Sequence, residues 1–433
     1  MRKRMGMTIA VLSLILGTVG CKGDDRKAEI GRGDVEINRT NFPDGFFREF
    51  VSENYDLNSD GVLSASERQT VEHMDVSHKK IASLEGIKYF KALKTLDCLG
   101  NSLSELNLRN NPALVKLDCS FNALSSKLDV SENPALTELS CSYNELTELD
   151  VSRNEALVSL ICHDNKLTKL DLSKNPALKD LECDRMELTE LDVSHNTALE
   201  SIHCAANRLT HLDVSGNPAL TYIDCGGNRL KELDVSMNPA LDSLWCIENE
   251  LTTLDLSKNP ELTWLYCRAN KLTTLDISKC ANLCFIECGD NALDTLDISG
   301  VLTLENLSCE RNGLTELDVS KNQMLETLVC FDNALTELDV SANPNLKLLW
   351  CYFNELTALD VSRNTALEEL NCGFSELTAL DVSRNTALKK LSCYYSKLTT
   401  LDVSRNTALE YICCDKPLEI IGAGSNVKIE YYN

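Results

Sequence analysis

The sequence predicts a solenoid, a rod of stacked coils that share one inward face. Three observations predict it. Sixteen cysteines from Cys98 to Cys414 recur every 21 residues, with a single interval of 22 between Cys119 and Cys141. Most are followed three residues later by an asparagine, from Asn101 to Asn354. A second asparagine series, Asn133 to Asn406, runs through the other half of each unit. A fixed period of this size marks stacked repeats, each touching only its neighbours. Disulfide frameworks of small secreted domains use uneven spacings, so an even ladder reads as thiols filling one repeated buried slot.

One unit carries Leu157, Leu160, Cys162, Asn165 and Leu167, in the pattern Leu-x-x-Leu-x-Cys-x-x-Asn-x-Leu. The half that follows has the skeleton Leu-x-x-Leu-x-Val-x-x-Asn, as in Leu188, Leu191, Val193 and Asn196. The first half resembles the leucine-rich repeat consensus, and the whole unit resembles the nested short class of bacterial leucine-rich repeats. The resemblance implies a leucine-rich repeat solenoid with short parallel strands on one face and turns or short extended segments on the other. It also implies a binding function, and on bacterial surfaces often adhesion.

The elements follow in order. Arg2, Lys3 and Arg4 precede an apolar run from Met7 to Val19, so residues 1–20 read as a signal peptide. The run ends in Thr18-Val19-Gly20-Cys21, which resembles a bacterial lipobox and implies lipidation at Cys21, a surface lipoprotein and an outer-membrane location. An ordinary secretory peptide is the alternative. Residues 21–38 are polar and read as a flexible tether.

Residues 39–80 read as a helical cap. Within it, Asp56-Leu57-Asn58-Ser59-Asp60-Gly61-Val62-Leu63-Ser64-Ala65-Ser66-Glu67 matches an EF-hand loop. Asp56, Asn58 and Asp60 would supply oxygens, Val62 its carbonyl, Ser64 a water-bridged position and Glu67 a bidentate carboxylate, with calcium as the cofactor. Phe46, Phe47, Phe50 and Val51 before the loop, and Val71 and Met74 after it, predict apolar helical faces. The competing reading is a helix-turn-helix in which Ser64 and Glu67 form only a capping box. Residues 81–414 form the array, and 415–433 read as a terminal β-hairpin that caps it. Met186, Ser375 and Ser396 interrupt the first asparagine series, which predicts looser turns there.

All fifteen aromatic residues from Phe121 to Tyr411 lie in the cysteine half of the units, in variable slots, most of which strand alternation turns away from the core. Solvent-facing aromatics are interface anchors. The candidate contact residues are Trp245, Trp264, Tyr266, Phe331, Trp350, Tyr352, Phe353, Phe374 and Tyr394. The expected partner is a protein, with a glycan or a passive spacer role as rivals. Fourteen aspartates, Asp129 to Asp402, recur in the other half and read as acceptors of backbone N–H groups in Asx-turns.

A formal net charge of −24 argues against nucleic acid as a partner and against direct binding to anionic membranes, leaving the lipid anchor as the membrane contact. The six histidines show no metal-ligand or triad spacing, and no Gly-rich phosphate loop or Cys-x-x-Cys is present, so the chain reads as a binding protein rather than an enzyme.

Overall fold

The computed structural model describes residues 33–432. Cys21, the apolar run and the first part of the tether lie outside the described residues. The chain enters through β1 (Val35–Glu36), α1 (Gly45–Tyr55), β2 (Val62–Leu63), α2 (Ala65–Gln69) and β3 (His73–Asp75). From β3 onward, three-residue strands recur once per coil and pair in parallel, register for register, up to two final five-residue strands, Tyr411–Asp415 and Lys428–Tyr432. The eighteen strands of this sheet make a rod about 80 Å long at about 4.8 Å per strand.

Each strand turns its middle residue inward. Leu160, Leu181, Ile202, Ile223 and Leu244 are stacked in register and fully buried. The cysteine after each strand is buried beside this column, and all the cysteines among the described residues are free thiols. A coil alone could not close this core. Stacked, each fully buried leucine contributes roughly 1.5–3 kcal/mol.

Apart from a single 3-10 turn at Ile87–Tyr89 in the first coil, the second half of the coils holds no helix among the described residues. It is an extended segment and two turns, and the aspartate series shapes it. Oδ1 of Asp255 accepts from the Ser257 backbone N–H at 2.9 Å, and Asp276 and Asp297 do the same with Ser278 and Ser299 at 2.9 Å. These are Asx-turns, as the spacing predicts. One paired segment breaks the monotony: Ser125–Asp129 lies parallel to Glu145–Asp150, with a register shift between Ser126 and Lys127. That is where the 22-residue unit absorbs its additional residue.

The cap docks on the first coil through aromatic packing. Phe42 and Phe47 are buried with ring centroids 5.8 Å apart, and Tyr55 lies 5.3 Å from Phe90. Asp44 caps α1 by accepting from Phe47 N and also accepts from Ala82 N at 2.8 Å, tying the helix to the array. Gly86 has φ +109°, and a Cβ there would meet the Phe42 ring at 2.4 Å. Only glycine fits both demands.

Four expectations need correction. The C-terminal segment is not a hairpin: Glu419–Ile421 pairs in parallel with Thr400–Asp402, and Lys428–Tyr432 in parallel with Tyr411–Asp415. Ile420 and Ile429 fall in register with Leu401 and Ile412, so one more turn of the solenoid covers the last columns, where a fold-back would expose them. The exit helix after the acidic loop ends at Gln69, and Met74 sits in β3 opposite Leu96, already part of the leucine column. The sheet therefore begins inside the span expected to be cap. Phe46 is exposed, leaving Phe47 and Val51 as the buried face of α1.

The turns at Ser375 and Ser396 keep the shape of the others, with fewer side-chain bonds to the neighbouring coil. Each serine hydroxyl donates to the carbonyl of the cysteine three residues back at 2.7 Å, and the preceding Phe374 and Tyr395 keep the left-handed backbone of the other coils. Met186 fills its slot with a buried side chain.

The aromatic strand face and the acidic loop

The outward residues of the sheet are positioned by the turn that follows each strand. The residue two after the cysteine has a positive φ in nearly every coil, for example Asp290 (51°), Phe353 (52°) and Phe374 (47°). Such a backbone is costly for residues with a Cβ. The next residue, Asn, holds it. Nδ2 of Asn207 donates to the carbonyls of Cys183, Cys204 and Ala205 at 2.9, 3.1 and 3.2 Å, while its Oδ1 accepts from Leu188 N at 3.1 Å. One amide thus satisfies groups of two coils.

On this frame the aromatics gather into two platforms. The first joins Trp245 to Tyr266 (centroids 4.1 Å apart), Tyr266 to Phe285 (4.7 Å) and Trp264 to Phe285 (5.4 Å), with Tyr222 at its near edge. The second joins Phe331 to Tyr352 (4.3 Å), Phe353 to Phe374 (3.9 Å), Phe374 to Tyr395 (4.5 Å) and Tyr394 to Tyr432 (4.8 Å). Trp264 and Phe353 are exposed, at 41% and 44%, and Trp245, Tyr266, Trp350, Tyr352, Phe374 and Tyr394 are half-buried. Trp350 donates from Nε1 to Glu369 at 3.0 Å. Phe331 departs from expectation. It is buried, stacked under Tyr352 and covered by the Arg311 guanidinium, so it supports Tyr352 instead of presenting a surface.

Between the platforms lies an ionic cluster that sequence reading did not assemble. Arg268 reaches Asp290 at 2.6 Å, Glu310 at 3.6 Å and Glu287 at 3.7 Å, and Arg311 reaches Asp290 at 3.4 Å and Asp332 at 3.7 Å. Glu310 is 3% exposed and accepts from the Ser308 hydroxyl at 2.8 Å. Its carboxyl folds over Gly289, where a Cβ would sit 2.4 Å from it. Burial pushes the Glu287 carboxyl up, against the pull of Arg268. Four carboxylates face two guanidinium groups, so the gap between the platforms is net negative. Its signal was charged residues in outward slots of consecutive coils. Tyr432 was also missed, because its strand lies beyond the cysteine ladder.

The acidic loop closes on itself in the cap. Asp56 accepts from Asp60 N at 3.1 Å through Oδ1 and from Gly61 N at 2.9 Å through Oδ2. Asn58 Oδ1 accepts from Asp60 N, and Asp60 Oδ1 from Val62 N. Glu67 reaches back across the loop, accepting from Leu57 N at 2.9 Å and from Ser64 N at 2.8 Å. Burial pushes the Glu67 carboxyl up, but the Ser64 hydroxyl, donating to it at 2.7 Å, and then these backbone bonds hold it below its usual value. Ser64 caps α2 and forms a capping box with Glu67, so the bond pattern of the second reading is present within the loop of the first. Asp56 and Glu67 are both buried. Among the described residues no three His, Cys, Asp or Glu side chains converge as a metal cage. Asp56, Asp60 and Glu67 are therefore not gathered around one point here, and what fits calcium is the chemistry of the loop: their carboxylates, the Asn58 amide oxygen and the Val62 carbonyl are all hard oxygens.

No family model matches the chain, and no curated protein does. Solved structures do. The functional domain of InlJ from Listeria monocytogenes, described as including a cysteine ladder, is 35% identical, with a TM-score of 0.73 over 88% of this chain and 82% of that one. A leucine-rich repeat protein of Leptospira interrogans is 24% identical, with a TM-score of 0.71 over 77% and 92% of the two chains. YopM from Yersinia enterocolitica is 21% identical, with a TM-score of 0.59 over 94% and 97%. The last two likenesses are of fold alone.

Proposed function

The chain belongs to the bacterial leucine-rich repeat proteins, and on that footing we propose that it is a binding protein that captures a protein partner on the strand face between Tyr222 and Tyr432. The observation that carries this reading is the division of that face into two aromatic platforms around the acidic cluster of Glu287, Asp290, Glu310 and Asp332. Rings that are both exposed and rigidly stacked give large contact area at small entropic cost. The complementary partner presents apolar side chains on either side of a basic one.

A glycan ligand would need free ring faces. In Phe353, Phe374 and Tyr395 those faces are turned against one another, which favours protein over sugar. In this proposal the array is held at the bacterial outer surface by acylated Cys21, the tether gives it reach, and adhesion is the role. The loop from Asp56 to Glu67 takes calcium, through Asp56, Asn58, Asp60, Glu67 and the Val62 carbonyl, and stiffens the cap over the first coil.

The test is capture of candidate host and bacterial surface proteins by the wild-type chain and by a Trp350→Ala, Tyr352→Ala variant. Loss of capture with an unchanged melting curve supports the reading. Full capture by the variant overturns it, and capture of oligosaccharides instead of proteins transfers the site to the glycan reading.

A further inference from the structure

EF-hand loops are usually found in pairs, joined by a short antiparallel bridge between the seventh and eighth residues of each loop. This chain has one such loop, yet its bridge is present. β2, Val62–Leu63, occupies those positions, and β1 pairs with it antiparallel, Val35 opposite Leu63 and Glu36 opposite Val62. We infer that the segment 33–37 stands in for the missing second hand and completes the metal-binding unit. This rests on the calcium reading above.

The contacts run the length of the loop's outer side. Ile37 N donates to the carbonyl of Gly61, the residue at the sharp turn, at 2.9 Å. Asp34 Oδ1 accepts from Ala65 N, the first N–H of α2, at 3.2 Å, beside the Ser64 cap. Arg68 of α2 donates to the Gly33 carbonyl. Val35 is buried at 8% exposure and Leu63 completely, so the bridge has its own apolar seal. The effect falls on the ligands. Val62 offers a backbone carbonyl, and its orientation is set by the strand it belongs to. Glu67 lies on α2, whose N-terminus Asp34 and Ser64 fix together. A loop without β1 would have to order both before binding, at the cost of affinity.

The coupling is reciprocal, since whatever the strand adds to calcium affinity calcium returns to the strand. Residues 33–37 lie inside the span read as the tether, residues 21–38, so its last part is a paired strand and the tether ends earlier than expected. Calcium therefore clamps the point where that span meets the rod.

The experiment compares calcium binding by the full chain with that of Val35→Pro, which removes the bridge N–H, using isothermal titration. Losing one or more backbone hydrogen bonds predicts a fall in affinity of about tenfold or more. Hydrogen exchange of the wild type supplies the second measurement and does not depend on the variant folding. Adding calcium should slow the amides of Val35 and Ile37 together with those of the loop. Equal affinity in Val35→Pro, or no change at Val35 and Ile37 when the loop amides slow, overturns this inference and leaves the calcium reading standing. A wild-type chain that binds no calcium removes both.

Discussion

The Cys280 thiol reaches the backbone carbonyl of Asn259 at 3.6 Å and that of Leu256 at 3.7 Å. Every regular coil makes the same two contacts with an asparagine, as when Asn238 Nδ2 donates to Asn217 and Val214 at 2.9 and 3.0 Å. Cysteine can replace asparagine there because that column uses only the donor half of the amide. The Oδ1 atoms of the twelve asparagines from Asn133 to Asn406, and of Asn111 one coil earlier, have no hydrogen-bond partner. Asn238→Cys should therefore cost about 1–2 kcal/mol, the difference between two amide bonds and two weak thiol ones. Asn238→Asp places a buried carboxylate against two carbonyls and should cost more than about 3 kcal/mol. Urea unfolding of the two variants decides it, and equal losses would contradict the donor-only account.

The first asparagine series differs in just this respect. Asn228 donates to Cys204, Cys225 and Gly226 and accepts from Leu209 N, so both halves of its amide are used. The sequence distinguished the two columns by their interruptions, Ser375 and Ser396 in one, Cys280 and Val301 in the other, although the reason needed the bonds. The period, the inward thiols, the parallel strands and the Asx-turns were all legible, because each repeats with one residue type in one slot. What escaped involves unrepeated neighbours. Gly289 beneath Glu310 is a contact between two coils that no periodic pattern announces. Val35 against Leu63 joins residues far apart in a segment too short to signal a strand. The terminal hairpin was misread because apolar runs separated by a turn look alike whether the chain folds back or winds on.

Cys284 lies outside the ladder and is the half-buried thiol among the described cysteines, donating to Thr263 O at 3.3 Å. Burial pushes the ladder thiols up, to about 12 at Cys141, Cys246, Cys288 and Cys330. The thiolate is the reactive form, so at neutral pH these sulfurs lack both the charge and the access to react. Maleimide applied to the folded chain should modify Cys284 well before any ladder cysteine, and all of them once the chain is unfolded. Mass spectrometry of peptides from a short pulse reads this out. Early modification of Cys246 or Cys288 would mean that the interior is wet.

Phe331 and Trp264 separate support from contact. Phe331 is buried beneath Tyr352, and truncation to alanine should cost about 3 kcal/mol or more in stability from the lost packing. Trp264 is 41% exposed and rests on Phe285, so Trp264→Ala should cost less than about 1 kcal/mol. Partner capture should reverse the order: Trp264→Ala weakens binding at full stability, whereas Phe331→Ala acts on both. Unimpaired capture by Trp264→Ala would take the first platform out of the binding surface.

Acid should unwind the rod from its turn side. All fourteen aspartates from Asp129 to Asp402 are held below 3.8, Asp129 at about 2, by the serine two residues on, with Arg109 also acting on Asp129. A carboxyl lowered by folding contributes stability that is present above its unfolded value and is lost as pH falls through the folded one. Repulsion between stacked aspartates such as Asp234 and Asp255 works against the lowering but does not reverse it. Asp97, Asp184, Asp224 and Glu287 are shifted upward by burial and act with the opposite sign, gaining stability as the pH drops towards 4. The melting midpoint should thus change little between pH 7 and 5 and fall steeply between about pH 4 and 2, where the larger set is protonated. Each exposed turn carries only a small share, and the fall is steep because one rod sums fourteen of them. A midpoint that stays level from pH 4 to pH 2 would show that the Asp–Ser turns follow from the coil without helping to hold it.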